Sequence, residues 1–171
     1  LDGVGKSPSR FDLKKLENLN GHYLREADDA RLAALVAARI GEAADESLLT
    51  RAMPVLKVRA KNLNEVVEGA GFLFAKRPLA LSEKAAALLE GEARTILRAV
   101  CNVLAAQNDW TSEALEATTK ALAEELGLGL GKLAQPMRAG LTGTTTSPGI
   151  FDVLVLLGRD EALARLNAQA A

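Results

Sequence analysis

Apolar residues along this chain recur at three- and four-residue spacing, and capping or stop signals bound the runs. Phe11, Leu13, Leu16, Leu19 and Tyr23 share one face of a predicted helix from about Phe11 to Leu24, preceded by Ser7-Pro8-Ser9. The spacing predicts that this face is buried. Asp28 or Asp29 caps a second predicted helix that stops at Gly41, a residue able to take the left-handed conformation. Asp45 caps a third, with Leu48, Leu49, Met53 and Leu56 as its stripe; Pro54 should kink it or mark its true start. Asn62-Leu63-Asn64-Glu65 has the spacing of a capping box and opens a fourth helix running to about Ala75. Lys76-Arg77-Pro78 ends it and is the best boundary between two parts of the chain.

Ser82 then caps a long helical stretch to about Ala106, interrupted near Gly91. Thr111 caps the next, which ends at Gly127, and Trp110 stands where it can staple onto Leu115. The last helices are expected at about Leu133–Leu141, Gly149–Leu157 and Asp160–Ala168. No run has the alternation of a strand. The predicted fold class is therefore all-α, a helical array of two small subdomains.

Composition narrows the function. The 171 residues are 49% hydrophobic but only 4% aromatic, so Leu, Ala and Val must build the core. The single cysteine, Cys101, excludes an internal disulfide and a cysteine-based metal site, and reads as a small buried hydrophobe. No run approaches the ~20 apolar residues of a membrane span, and no signal-peptide pattern opens the chain, so a cytoplasmic protein without membrane contact is expected. Net charge is −1, but residues 51–77 carry six bases and two acids. A basic segment inside a neutral chain can form a footprint for phosphates. Its bland reading is a solvated helix face.

The catalytic motifs are weak. Gly5-Lys6-Ser7 lacks the preceding strand of a phosphate-binding loop and is followed at once by Pro8. Gly127–Lys132 has Leu133 where such a loop needs Ser or Thr. His22 is the only histidine, so no metal ligand set is visible. By its own residues the chain reads as a binding protein.

Two places carry binding chemistry. Lys57, Arg59 and Lys61 alternate just ahead of the Asn62 cap. Residues two apart on a helix point about 200° apart, so they form one patch only if the chain turns there. A helix N-terminus beside cations is a good anion site. In the second place, Arg138 follows Gln135-Pro136 in an apolar helical pattern that breaks into Gly143–Gly149, a Thr/Ser/Gly loop closed by Pro148-Gly149 before Ile150. Such a loop offers free backbone donors and acceptors, and a guanidinium can both stack on a base and donate to it. The structural alternatives are a salt bridge from Arg138 to Asp152 or Asp160, and a plain turn with Ser147 as an N-cap.

Gly131–Phe151, GKLAQPMRAGLTGTTTSPGIF, resembles the anticodon-binding end of bacterial glutamyl-tRNA synthetase, and Phe11–Arg25, FDLKKLENLNGHYLR, resembles the junction ahead of it. The resemblance runs nearly the whole chain, most weakly between Ala27 and Glu46. It implies that residues 1–27 end a stem-contact region, 28–80 form a first helical anticodon-binding subdomain and 81–171 a second. Arg138 matches the Arg after the family's Gln-Pro pair. Ser147, Pro148, Gly149 and Ile150 match its loop, with Ser where the family usually has Thr. Arg59 is the best match for the anticodon Arg of the first subdomain, with Lys57 kept open; Lys57 and Lys61 are candidate phosphate contacts. The family's HIGH-like and KMSK-like ATP signatures are absent, and the opening Leu1 suggests a piece of a longer chain. The resemblance thus implies a monomeric tRNA-binding portion without cofactor or metal. Its parent is a class I ligase that joins glutamate to glutamate tRNA using ATP and Mg²⁺, with glutamine tRNA left open. The alternative is a helical protein–protein interaction module without RNA binding.

Overall fold

A computed structural model of the chain describes residues 12–171. Among them are ten α-helices and no strand: α1 Leu13–Glu26, α2 Asp29–Ile40, α3 Glu46–Leu56, α4 Leu63–Phe74, α5 Glu83–Ala87, α6 Ala93–Ala106, α7 Ser112–Glu125, α8 Leu130–Thr142, α9 Ile150–Leu157 and α10 Arg159–Ala170. Phe11, Ser7-Pro8-Ser9 and Gly5-Lys6-Ser7 lie outside the described residues.

Six of the ten helices begin where a short polar side chain satisfies a free N–H group. Asp28 accepts from Arg31 N at 2.8 Å and Asp45 from Leu48 N at 2.9 Å. Ser82 and Thr111 cap α5 and α7 in the same way. Asn62 accepts from Glu65 N at 3.0 Å, and Glu65 reaches back to Lys61 N at 2.8 Å, one residue earlier than a standard capping box. Such caps each contribute about 1 kcal/mol. Gly41 and Gly143 end α2 and α8 with φ of 86° and 74°. The predicted break near Gly91 separates α5 from α6, and Gly91 has φ 62°. Helix α3 runs through Pro54, so that proline does not mark its start. Helix α8 begins at Leu130, earlier than the expected Leu133.

Helices α2, α3 and α4 pack on one another, and α6 to α10 form a second group, with α5 on α8 and α3 touching α9. The buried apolar residues form one connected core, from Leu24 through Met53, Leu97 and Leu141 to Ala170. Cys101 is buried in it, and that burial raises its thiol pKa. Trp110 ties α7 to α9: its indole N–H donates to the Leu154 carbonyl at 3.0 Å, and Arg159 lies over its ring at 5.9 Å.

One expectation is overturned. Leu13, Leu16, Leu19 and Tyr23 are 66%, 47%, 51% and 61% exposed. Only Gly21 and Leu24 of α1 are buried. Periodicity identifies an amphipathic helix, but among the described residues no element covers this stripe.

Candidate nucleic-acid interface

A cleft of about 580 Å³ opens between the two helical groups. Its volume suits a small ligand or an extruded nucleotide (~300–1,000 Å³). One wall carries Arg59, Glu65, Glu68 and Gly69 from the α3–α4 side; the other carries Thr144, Thr146, Ser147 and Pro148 from the α8–α9 loop. The two sequence segments singled out for binding therefore meet across one space.

Arg59 stands in a tightly held turn. Lys57, at the end of α3, donates to the Ala27 carbonyl at 2.8 Å and pairs with Asp29 at 2.6 Å. Asn20 of α1 donates to the Lys61 carbonyl at 2.6 Å. At Gly21 a β-carbon would lie 3.3 Å from the Ala60 carbonyl oxygen, so α1 approaches the turn closely. The three alternating cations are thereby sent to different places. Lys57 turns to the α1–α2 junction, Arg59 to the cleft, and Lys61 to a loose, exposed pair with Glu17 at 3.8 Å. They do not form one patch. The Lys57 side chain is only 14% exposed and its ammonium is already engaged, which takes it out of a phosphate-facing surface.

Arg138 is engaged by its own loop. Its Nη1 donates to the Pro148 carbonyl at 2.8 Å, to the Ser147 carbonyl at 3.1 Å and to the Ser147 hydroxyl. Neither Asp152 nor Asp160 pairs with it, so the salt-bridge alternative fails for a physical reason: oxygens of the turn satisfy the donor without a carboxylate. Ser147 does not cap α9; Gly149 holds the cap position without a side-chain bond, and the Ser147 hydroxyl donates to the Pro148 carbonyl at 2.9 Å. Thr142 and Thr144 brace the start of the loop by accepting and donating among Arg138, Thr144 and Thr146 oxygens.

Burial, and after it the positive charge of Arg59, lower the Arg138 pKa. A guanidinium stays charged through such a shift. Two like charges thus lie within electrostatic reach, and among the described residues neither has a carboxylate partner. All three Arg138 bonds fall on Nη1, which leaves Nε and Nη2 without protein acceptors among the described residues.

The loop residues separate by role. Ser147 and Pro148 line the cleft; Gly149 is exposed; Ile150 is 5% exposed and belongs to the core. Ile150 is thus the apolar anchor that ends the loop. Thr144, Thr146, Glu68, Asn20 and Gly21 were not singled out by sequence reasoning. The Asn-Gly pair within NLNGHY was the one signal available for the last two, since a glycine inside a helix often marks close approach.

The fold and the cleft define an all-helical binding module. Residues 24–170 match the family described as the anticodon binding domain, and the chain belongs to that family. It is 75% identical over 170 residues to glutamate–tRNA ligase 1 of Erythrobacter litoralis, covering 99% of this chain and 35% of the relative. It is 66% identical over 178 residues to glutamate–tRNA ligase 2 of Novosphingobium aromaticivorans, covering 100% of this chain and 37% of that relative. The chain therefore spans about a third of the length of these relatives. The crystal structure of a glutamate tRNA ligase from Elizabethkingia meningosepticum shares the fold at a TM-score of 0.82 and 23% identity, over 98% of this chain and 34% of that one.

Proposed function

We propose that this chain is the tRNA anticodon-binding portion of a glutamate–tRNA ligase and that the cleft holds part of the anticodon loop. One observation carries the reading: Arg59 from one helical group and the Ser147-Pro148 turn organised by Arg138 from the other face the same cleft, inside the segment that matches the anticodon-binding family. Arg59 and the free Nε and Nη2 of Arg138 suit the electronegative edge of an unstacked base. Lys61, exposed beside the turn, is the remaining phosphate candidate. Glutamate tRNA is the expected partner, with glutamine tRNA open, and the binding unit is a monomer.

ATP and Mg²⁺ would serve the part of the ligase that lies beyond this chain. No group of three or more His, Cys, Asp or Glu among the described residues could hold a metal, so no residue is assigned to either. No helix of the described residues is long and apolar enough to cross a membrane, and a cytoplasmic location is proposed from the reaction.

The test is binding of glutamate tRNA and an anticodon-altered form over a salt series. The chain should prefer the matched tRNA, and affinity should fall with salt as phosphates release counterions. Arg59→Ala should lose about 1–3 kcal/mol, roughly five- to 150-fold, on the matched tRNA with little change in salt slope. Full affinity and preference in Arg59→Ala would place the RNA elsewhere. The alternative, a helical protein–protein module, draws on the exposed apolar face of α1 and predicts no salt-dependent tRNA binding at all.

A further inference from the structure

Among the described residues, Arg165 is the one charged side chain in the core, and nothing in the cleft explains it. It lies on α10 at 2% exposure. Its Nη1 donates to the Phe72 and Leu141 carbonyls, each at 2.8 Å, its Nη2 to the Ala75 carbonyl at 2.8 Å, and its Nε to Glu161 at 2.6 Å. Four of its five N–H groups can thus be used. The other oxygen of Glu161 pairs with Arg77 in the linker at 3.2 Å.

The carbonyls it takes are special. Phe72 lies in the last turn of α4 and Ala75 caps it, while Leu141 lies in the last turn of α8. Helix C-terminal carbonyls lack intrahelical partners and carry partial negative charge. Two such ends converge in the core, and a single guanidinium satisfies both. A buried charge is tolerated there because its donors meet oxygens on every side.

The same two helices carry the cleft walls. On α4, Gly69 lines the cleft and Phe72 is bound by Arg165 three residues on. On α8, Arg138 holds the Ser147-Pro148 turn and Leu141 is bound by Arg165, again three residues on. The guanidinium therefore joins the two walls about one helical turn behind the cleft. We propose that Arg165 is a positioning residue that sets the separation of the cleft walls, and through it the discrimination of the base held between them. The second half of this statement rests on the reading of the cleft as the anticodon site.

Spin labels at Asn64→Cys on α4 and Gln135→Cys on α8, both exposed positions, would report the separation of the walls in the free chain. Cys101 is buried with a raised thiol pKa and should label slowly. Arg165→Met should shift or broaden the measured distance. It should also reduce the affinity ratio for matched over altered anticodons roughly tenfold, about 1.4 kcal/mol, at an unchanged salt slope. Arg165→Lys should not rescue, because an ammonium has no planar fork to span three carbonyls and a carboxylate. Should Arg165→Met fail to fold, Glu161→Gln leaves the guanidinium on its carbonyls but weakens the bond that orients it and the pair with Arg77. It should broaden the distance and lower the ratio by less. An unchanged distance in a folded variant overturns the proposal. A changed distance with intact discrimination, where Arg59→Ala abolishes discrimination, overturns it too. Intact discrimination in Arg59→Ala would instead remove the anticodon reading of the cleft, while the distance measurement judges the clamp by itself.

Discussion

Arg138→Ala separates the two jobs that Arg138 is placed to do. Its Nη1 has two protons and three acceptors, the Ser147 carbonyl and hydroxyl and the Pro148 carbonyl, so two straight bonds are lost at a time. A hydrogen bond from a charged donor contributes ~1.5–3 kcal/mol when removal leaves a buried partner unmatched. Ser147 and Pro148 are only half-buried, so water reaches the freed oxygens and the lower end applies. Removing the guanidinium also relieves its desolvation and its repulsion by Arg59. The net loss should be about 1–2 kcal/mol, a fall in Tm of ~2–8 °C for a domain of this size. The damage should stay local: hydrogen exchange should quicken at the amides of 143–149, with helicity retained by circular dichroism. Matched-anticodon affinity should fall with it. Arg138→Lys should restore part of the loop protection, because an ammonium can reach the same carbonyls. It should not restore anticodon preference, because no second edge of a planar fork remains. If the 143–149 amides of Arg138→Ala exchange at the wild-type rate and Tm moves by less than ~1 °C, the loop is organised without Arg138 and the argument fails.

Two other substitutions test the frame around the cleft. Lys57→Met should cost about 1–3 kcal/mol in urea unfolding, because it strands Asp29, whose side chain is only 32% exposed. The salt slope of tRNA binding should be unchanged; a slope lowered by ~1 would show a phosphate contact instead. Gly143→Ala should destabilise the chain by more than about 2 kcal/mol. The residue has φ 74°, and a β-carbon there would run into the Ala80 carbonyl oxygen, next to the bond that Ser82 N makes to Gly143 O at 2.9 Å. Wild-type stability in urea would show that the linker can move away at little cost.

The elements legible in the sequence were those with local causes. Asp28, Asp45, Asn62, Ser82 and Thr111 each satisfy an N–H three residues ahead, so spacing alone exposes them. The cleft was legible as two separate segments, because an unusual loop and a basic run are both local patterns. Their meeting was not, since it depends on packing between helices far apart in sequence. Nor could periodicity tell that Leu13, Leu16 and Leu19 would stay exposed among the described residues. Arg138 misled in a useful way: charge suggested an acidic partner, whereas the partners are backbone oxygens, which every residue has and no pattern marks. Arg165 was invisible for the same reason, with carbonyl acceptors at Phe72 and Ala75 ninety or more residues away along the chain. The one trace it left is its place on the face of α10 that also carries Ala162 and Leu166, where a charge should be costly.

Pairing gives a physical criterion for sorting the cations of a chain whose net charge is −1. A cation with a close carboxylate partner has already exchanged part of its hydration for protein oxygens, and an RNA phosphate or base must compete with that partner. Lys57 on Asp29, Arg77 on Glu161 and Arg165 on Glu161 are of this kind, and each joins segments distant in sequence or braces a residue that does. Arg59 and Arg138 have no such carboxylate among the described residues, yet burial and mutual repulsion act on Arg138. Arg59 lines the cleft beside Glu65 and Glu68, and Arg138 holds its Ser147-Pro148 wall, so the repulsion Arg138 feels from Arg59 opposes placing both cations there. If an electronegative group bound beside them, as proposed, it would offset that repulsion, and the difference would appear as affinity. The criterion ranks Arg59 above Lys57 as the cation available to a ligand, although the two stand only two residues apart and the sequence alone left both open.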